Sequence, residues 1–284
     1  MFAAVRIYRI SRGKMTEGKI IVVGNEKGGT GKSTLAMHLI VWFLRQKKRV
    51  ASIDLDGRQG TLTHYIQNRA AYGKAHCIEL GLPEHLTVTP RENPTEQERR
   101  EDEAAFREQL EKLQKENDLI VIDTAGSDSH LFRLAHMAAD VLISPLNDSL
   151  IDLDVLAKVE PETLTVKAPG HYAQTVWQAR QKRAAERKPQ MRWFVLRNRV
   201  MHVATHNEKL IWKLLEALGK RINFTPLRGL GERIIFRELF LKGLTLLDIG
   251  QSKTGVSMSM AHVTARQELR SILQAIGEEA VSDD

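Results

Sequence analysis

The stretch KIIVVGNEKGGTGKST, Lys19 to Thr34, constrains this chain more than any other. A β-branched run from Lys19 to Gly24 leads into a glycine-rich loop. From Ser33 to Lys47, apolar residues at Ala36, Leu39, Ile40, Phe43 and Leu44 recur at helical spacing. A strand, a glycine loop and a helix in that order make an anion cradle. Glycines let backbone N–H groups point at phosphate oxygens, and the helix N-terminus adds the positive end of its dipole. Lys32 stands where a lysine meets β- and γ-phosphates, and Ser33 where a hydroxyl ligates Mg²⁺. The general pattern G-x-x-x-x-G-K-[ST] has Glu26 at its first glycine position here, and the loop carries a second lysine, Lys27. One lysine suffices to grip a phosphate, so Lys27 calls for a different role.

Further strands follow at Val50–Asp54 (VASID), Leu86–Val88, Leu119–Asp123 (LIVID), Val141–Ser144 and Trp193–Leu196, separated by helical patterns. One helix covers Thr61–Ala71. Another opens on a capping box of Thr95 and Glu98 and presents Phe106, Leu110 and Leu113 as its apolar face. Strands that are apolar throughout and alternate with helices imply an α/β fold, a mostly parallel central sheet flanked by helices on both faces. Ligands bind beyond the carboxyl ends of such strands. Gly24–Thr34, Asp54–Gln59, Asp123–Ser127 and Asn198 should therefore share one edge.

The 284 residues suit a single domain, expected over 18–277. Residues 1–17 read as a disordered leader or a misassigned start, since MFAAVRIYRISRGK lacks a signal-peptide core and Met15 precedes TEGKIIVVG; 278–284 read as an acidic flexible tail. The only cysteine is Cys77, so an intrachain disulfide and a cluster held by several cysteines of one chain are excluded. No run approaches the ~18 apolar residues of a membrane span. A net charge of +7 favours an anionic partner. The basic side chains Arg180, Lys182, Arg183, Arg187, Lys209, Lys213, Lys220, Arg221 and Arg233 are the candidates for a nucleic-acid face.

The segment KGGTGKST resembles the deviant Walker A motif of the ParA/MinD class of P-loop NTPases. IDLDGRQ, PLNDSLIDLDVL, LTVKAPGHYAQTVW, WFVLRNR and IIFRELFLKGLTLLDIG narrow the resemblance to the MipZ family, from about Lys19 to Ile276. It implies ATP and Mg²⁺ as cofactors. The nucleotide would lie on Gly28, Gly29, Thr30, Gly31, Lys32, Ser33, Thr34 and Gly126, with Asn198 reading adenine. Mg²⁺ would lie near Ser33 and Asp56 and, through water, Asp123. Asp56 would orient the attacking water, and Lys27 would reach across a homodimer to the partner's phosphates. Ala125 stands where the class usually has proline. The family further implies slow ATP hydrolysis, recruitment by ParB, nonspecific DNA binding by the ATP dimer, and inhibition of FtsZ polymerisation. Its place would be the cytoplasm, on the nucleoid and graded from the poles, with no membrane partner. The alternatives are a ParA-type partition ATPase and an ATP-dependent amide-forming synthetase of related fold.

Overall fold

A computed structural model of the chain describes residues 17–160, 166–200, 206–250, 254–256 and 258–281. Apart from Glu17, the leader expected at 1–17 lies outside the described residues, as do 282–284 of the tail. The strands are β1 (Lys19–Val23), β2 (Val50–Asp54), β3 (Glu84–Thr87), β4 (Leu119–Asp123), β5 (Val141–Asn147), β6 (Ala157–Val159), β7 (Val166–Pro169), β8 (Arg192–Val200) and β9 (Thr225–Gly231). The helices are α1 (Lys32–Arg45), α2 (Thr61–His76), α3 (Glu96–Glu116), α4 (His130–Ala138), α5 (Leu150–Leu153), α6 (His171–Ala185), α7 (His206–Ile222), α8 (Ile235–Leu241) and α9 (Met260–Val281).

Seven strands form one sheet in the order β3-β2-β4-β1-β5-β8-β9, and every pairing in it is parallel. β6 and β7 make a separate antiparallel pair. Side chains alternate across a strand, and the core divides accordingly. Ile21 and Val23 pack with Leu39 and Phe43 of α1 and with Leu269 and Leu273 of α9. Ile20 and Val22 pack with Phe106 and Leu110 of α3, Phe132 of α4, Tyr172 and Val176 of α6, and Leu214 and Leu218 of α7. A strand buried on both faces has no polar alternation, which is why LIVID and KIIVV read as continuous apolar runs.

β2, β3 and β4 lie on one side of β1, while β5, β8 and β9 lie on the other. The direction of crossover reverses at β1, and the phosphate loop leaves from that switch point. The capping box forms: Thr95 Oγ1 accepts from Glu98 N, and the Glu98 carboxylate accepts from Thr95 N. Several elements exceed their sequence bounds. β5 continues through Pro145 to Asn147, because its register with β1 covers only Val141–Ile143 and the missing N–H of Pro145 falls beyond it. Among the described residues no helix is long and apolar enough to cross a membrane. Cys77 is exposed.

Candidate functional site

The loop between β1 and α1 is braced at its start by Asn25, which is fully buried. Its Nδ2 donates to the Pro145 carbonyl at 2.8 Å and its Oδ1 accepts from Lys27 N at 3.2 Å. The loop closes on Gly31, whose φ of +87° lies in the left-handed region that favours glycine. A Cβ there would also meet Asn198 Nδ2 at 2.3 Å. Gly31 caps α1 without a side-chain hydrogen bond, so the helix's positive end is not taken by a capping side chain. Gly126, after β4, packs backbone to backbone on the loop, and a Cβ there would lie 2.8 Å from Gly28 N. Thr30 is buried, its hydroxyl 3.5 Å from the Lys27 carbonyl, and the Thr34 carbonyl lies 2.7 Å from His38 Nδ1 in the next turn of α1.

The two lysines point to different neighbours. Lys32 folds over the loop and donates to the Lys27 carbonyl at 2.8 Å. Burial lowers its pKa, with Asp123 and Asp56 pulling the other way. Lys27 reaches α5 instead. Its Nζ lies 2.7 Å from the Ile151 carbonyl and 2.8 Å from the Asp152 carboxylate, both on α5.

Three carboxylates close the site. Asp54 is fully buried and structural: it accepts from Asp56 N at 3.0 Å, from Thr63 N at 3.0 Å and from the Thr63 hydroxyl at 2.9 Å, fixing the turn into α2. Asp123 is buried at the end of β4. Burial raises its carboxyl above the ordinary range; the Ser33 hydrogen bond and the Lys32 charge work against that, while Asp54 and Asp56 add to it. Its Oδ1 has no partner among the described residues. An orphaned carboxylate oxygen beside a serine hydroxyl, with Asp56 close enough to repel it, is an oxygen-only donor set that suits a hard divalent cation such as Mg²⁺. Lys32, Ser33, Asp56 and Asp123 thus converge. Asn198 approaches the loop itself, its Nδ2 donating to the Thr30 carbonyl at 2.7 Å.

Three of the basic candidates are committed within the fold. Arg183 is buried and donates to Asp140 at 2.9 Å and to the carbonyls of Met137, Ala138 and Pro189, so it is withdrawn from any DNA surface. Arg180 is half-buried and donates to the carbonyls of Met191, Ile222 and Asn223. Arg233 is committed to Glu268 at 2.6 Å. Both lose the freedom that a phosphate contact needs. Lys182, Arg187, Lys209, Lys213, Lys220 and Arg221 remain exposed.

Two features were not anticipated. Asp152 lies in the quoted block PLNDSLIDLDVL, where an acid shortly after a strand end was the available signal. Tyr172 lies in LTVKAPGHYAQTVW. Its hydroxyl, buried beneath the loop, donates to the Gly24 carbonyl at 2.7 Å and meets Ser144 Oγ at 2.7 Å and His136 Nε2 at 3.0 Å. Glu26, in place of the expected glycine, is held by Thr175 at 3.1 Å and His171 at 2.9 Å, both on α6.

A parallel sheet with this loop at its switch point, and two lysines in the loop, defines a P-loop NTPase fold of the ParA/MinD type. Residues 19–279 match the family model described as ATPase MipZ, and the chain belongs to that family. It is 30% identical over 169 residues to the chromosome partitioning protein ParA of Myxococcus xanthus, covering 53% of this chain and 60% of that one. It is 40% identical over 70 residues to the chromosome-partitioning ATPase Soj of Thermus thermophilus, covering 25% of this chain and 27% of that one. The chain thus matches less than two thirds of the length of either curated relative. The ATP complex of McdA from Cyanothece superposes with a TM-score of 0.62 at 14% identity, over 92% of this chain and 97% of that one; this likeness is one of fold.

Proposed function

We propose that the chain is a slow ATPase that uses ATP to dimerise and, as the ATP dimer, inhibits FtsZ polymerisation. Lys32 and the backbone of Gly28–Thr34 would hold the phosphates, with Gly126 closing over them and Asn198 near adenine. Ser33, Asp56 and, through water, Asp123 would hold Mg²⁺, which would supply positive charge against the charge that develops in phosphoryl transfer. Asp56 would also orient the attacking water. Lys27 from each protomer would complete the other's site, supplying positive charge in the transition state as an arginine finger does.

The observation that carries this reading is that Lys27 is held apart from Lys32, by a partly exposed contact with α5. Its ammonium group rests on the Ile151 carbonyl and the Asp152 carboxylate of α5, with its side chain 31% exposed. A cation so placed serves a second subunit more readily than its own.

Dimerisation would also double the exposed lysines and arginines. Nonspecific DNA binding would then be salt-sensitive, log affinity falling by roughly 0.9 per phosphate contact against log salt. As a monomer the protein would be recruited by ParB, and cycling between the two would grade it from the poles of the cytoplasm.

Sedimentation of FtsZ polymers with and without the protein and ATP tests this. Wild type should reduce the pellet. Asp56→Ala, held as an ATP dimer, should reduce it at least as much, and Lys27→Ala should leave it intact. An unaffected pellet alongside ATP-dependent DNA binding would return the second reading, a partition ATPase, which the names of the Myxococcus and Thermus relatives favour.

A further inference from the structure

α6 braces the phosphate loop through His171, Tyr172 and Thr175, but Trp177, further along it, faces solvent. Trp177 is 62% exposed. It borders a groove of about 650 Å³ between α6, the turn before β8 and the end of α7. Ala173, Val176, Met191 and Ile222 give the groove an apolar lining. No acidic side chain lines it among the described residues, whereas Arg180 and Arg221 do.

Arg180 is the unusual member. Its guanidinium sits 5.6 Å from the centre of the Trp193 ring and, among the described residues, donates to main-chain carbonyls alone. Its Nε has no partner among the described residues. Carbonyls satisfy N–H geometry but do not neutralise a full charge, and burial alone pulls this pKa below its ordinary value. Arg221 likewise reaches a carbonyl, that of Val166. Their neighbours differ: Arg183 has Asp140 and Lys188 has Glu186. The groove therefore combines a solvent-facing indole, an apolar trough and two guanidinium groups, those of Arg180 and Arg221, with no carboxylate partner among the described residues.

We propose that this groove docks a protein partner through an acidic peptide segment bearing an aromatic or aliphatic anchor. The anchor packs against Trp177 in the trough, and the flanking carboxylates supply the counter-charge that Arg180 and Arg221 lack among the described residues. Buried aromatic anchors and charge complementarity are what make such grooves selective. Duplex DNA fits less well. Its backbone offers no apolar anchor to Trp177, and Arg180 lies in the lining, where a rigid phosphate backbone has poor access. The proposal stands apart from the ATP switch, because no groove residue named here belongs to the nucleotide site.

The test is selection of a displayed random-peptide library on the full chain, with Trp177→Ala as counter-selection. Trp177 is exposed, so that variant should fold, and a thermal melt checks it. The enriched peptides should join Asp or Glu to Phe, Trp or Leu and should lose roughly tenfold or more in affinity for Trp177→Ala. Arg180→Lys, which keeps the charge, should bind them better than Arg180→Gln. A labelled DNA duplex should bind wild type and Trp177→Ala alike. Enrichment of peptides without acids, or failure to enrich any peptide that depends on Trp177, overturns the proposal. So does a parallel loss of duplex affinity in Trp177→Ala, which would make the groove a nucleic-acid face.

Discussion

Lys27 and Lys32 share one short loop and are held by different partners. Lys32 is buried over the loop, while Lys27 pairs with Asp152 on a partly exposed flank. To reach a partner's phosphate, Lys27 must give up Asp152. A partly exposed ion pair is worth about 1 kcal/mol or less, so releasing it shifts an equilibrium by up to about fivefold. Lys27→Ala should abolish the ATP-dependent dimer in size-exclusion light scattering. Asp152→Asn should do the reverse, lowering the ATP concentration at half-dimerisation by about two- to fivefold. An unchanged midpoint would make the Asp152 contact incidental. The motif residues were legible because Lys32 and Ser33 follow one another in a single pattern. Asp152 was not, because it meets Lys27 across 125 positions. Arg180 and Arg183 misled for a related reason: a string of basic residues reveals charge, and only packing reveals that one guanidinium is buried beside Asp140 and the other over Trp193.

Among the elements, the segment GLTLLDIG after α8 acts as a tie. Asp248 is 1% exposed and pairs with Arg69 of α2 at 2.8 Å and with Arg45 of α1 at 2.9 Å. It also accepts from Thr245 N and Oγ1, each at 2.7 Å. Burial pushes its carboxyl upward, but Arg69 and Thr245 outweigh that and hold it at about 2. Removing one member leaves the other charged and buried, which costs about 3–5 kcal/mol. Asp248→Ala should therefore lose that much stability in denaturant unfolding, while Asp248→Ala with Arg69→Met should recover part of it. A single-variant loss below about 1 kcal/mol would show that water compensates the guanidinium. The family block was visible as a string, but its role as a link between α1 and α2 was not. Strand β9 was missed for another reason. TPLRGLG carries a proline and glycines that argue against a central strand. They are tolerated because β9 is the last strand of the sheet and pairs only with β8. β6 and β7 are too short to show a period.

At the scale of the whole molecule, two buried histidines pin helices against the sites they serve. His38 faces the Thr34 carbonyl and Leu246 N, with Asp248 and Arg69 nearby. His136 faces the Phe132 carbonyl and the Tyr172 hydroxyl, with Asp128 nearby. Burial lowers each to about 4 in the folded chain. Below its ordinary value of about 6.5, each histidine binds a proton in the unfolded chain that the native fold refuses. Their stabilising effect is therefore present above about pH 6.5 and is lost as pH falls toward 4, at up to about 1.4 kcal/mol per pH unit for each. Asp123 acts in the opposite sense, because its raised carboxyl takes up a proton in the native fold before the unfolded chain does. The histidine effect is therefore read as a difference between proteins. Urea unfolding of wild type and of His38→Gln with His136→Gln, across pH 7 to 4.5, should give a clearly steeper loss for wild type. Glutamine can keep a donor toward the Thr34 carbonyl and an acceptor toward Leu246 N at the His38 site, and a donor toward the Phe132 carbonyl at the His136 site, but it cannot titrate. Parallel profiles would mean that these two imidazoles already carry their protons in the folded state, and that burial does not set the acid limit of this fold.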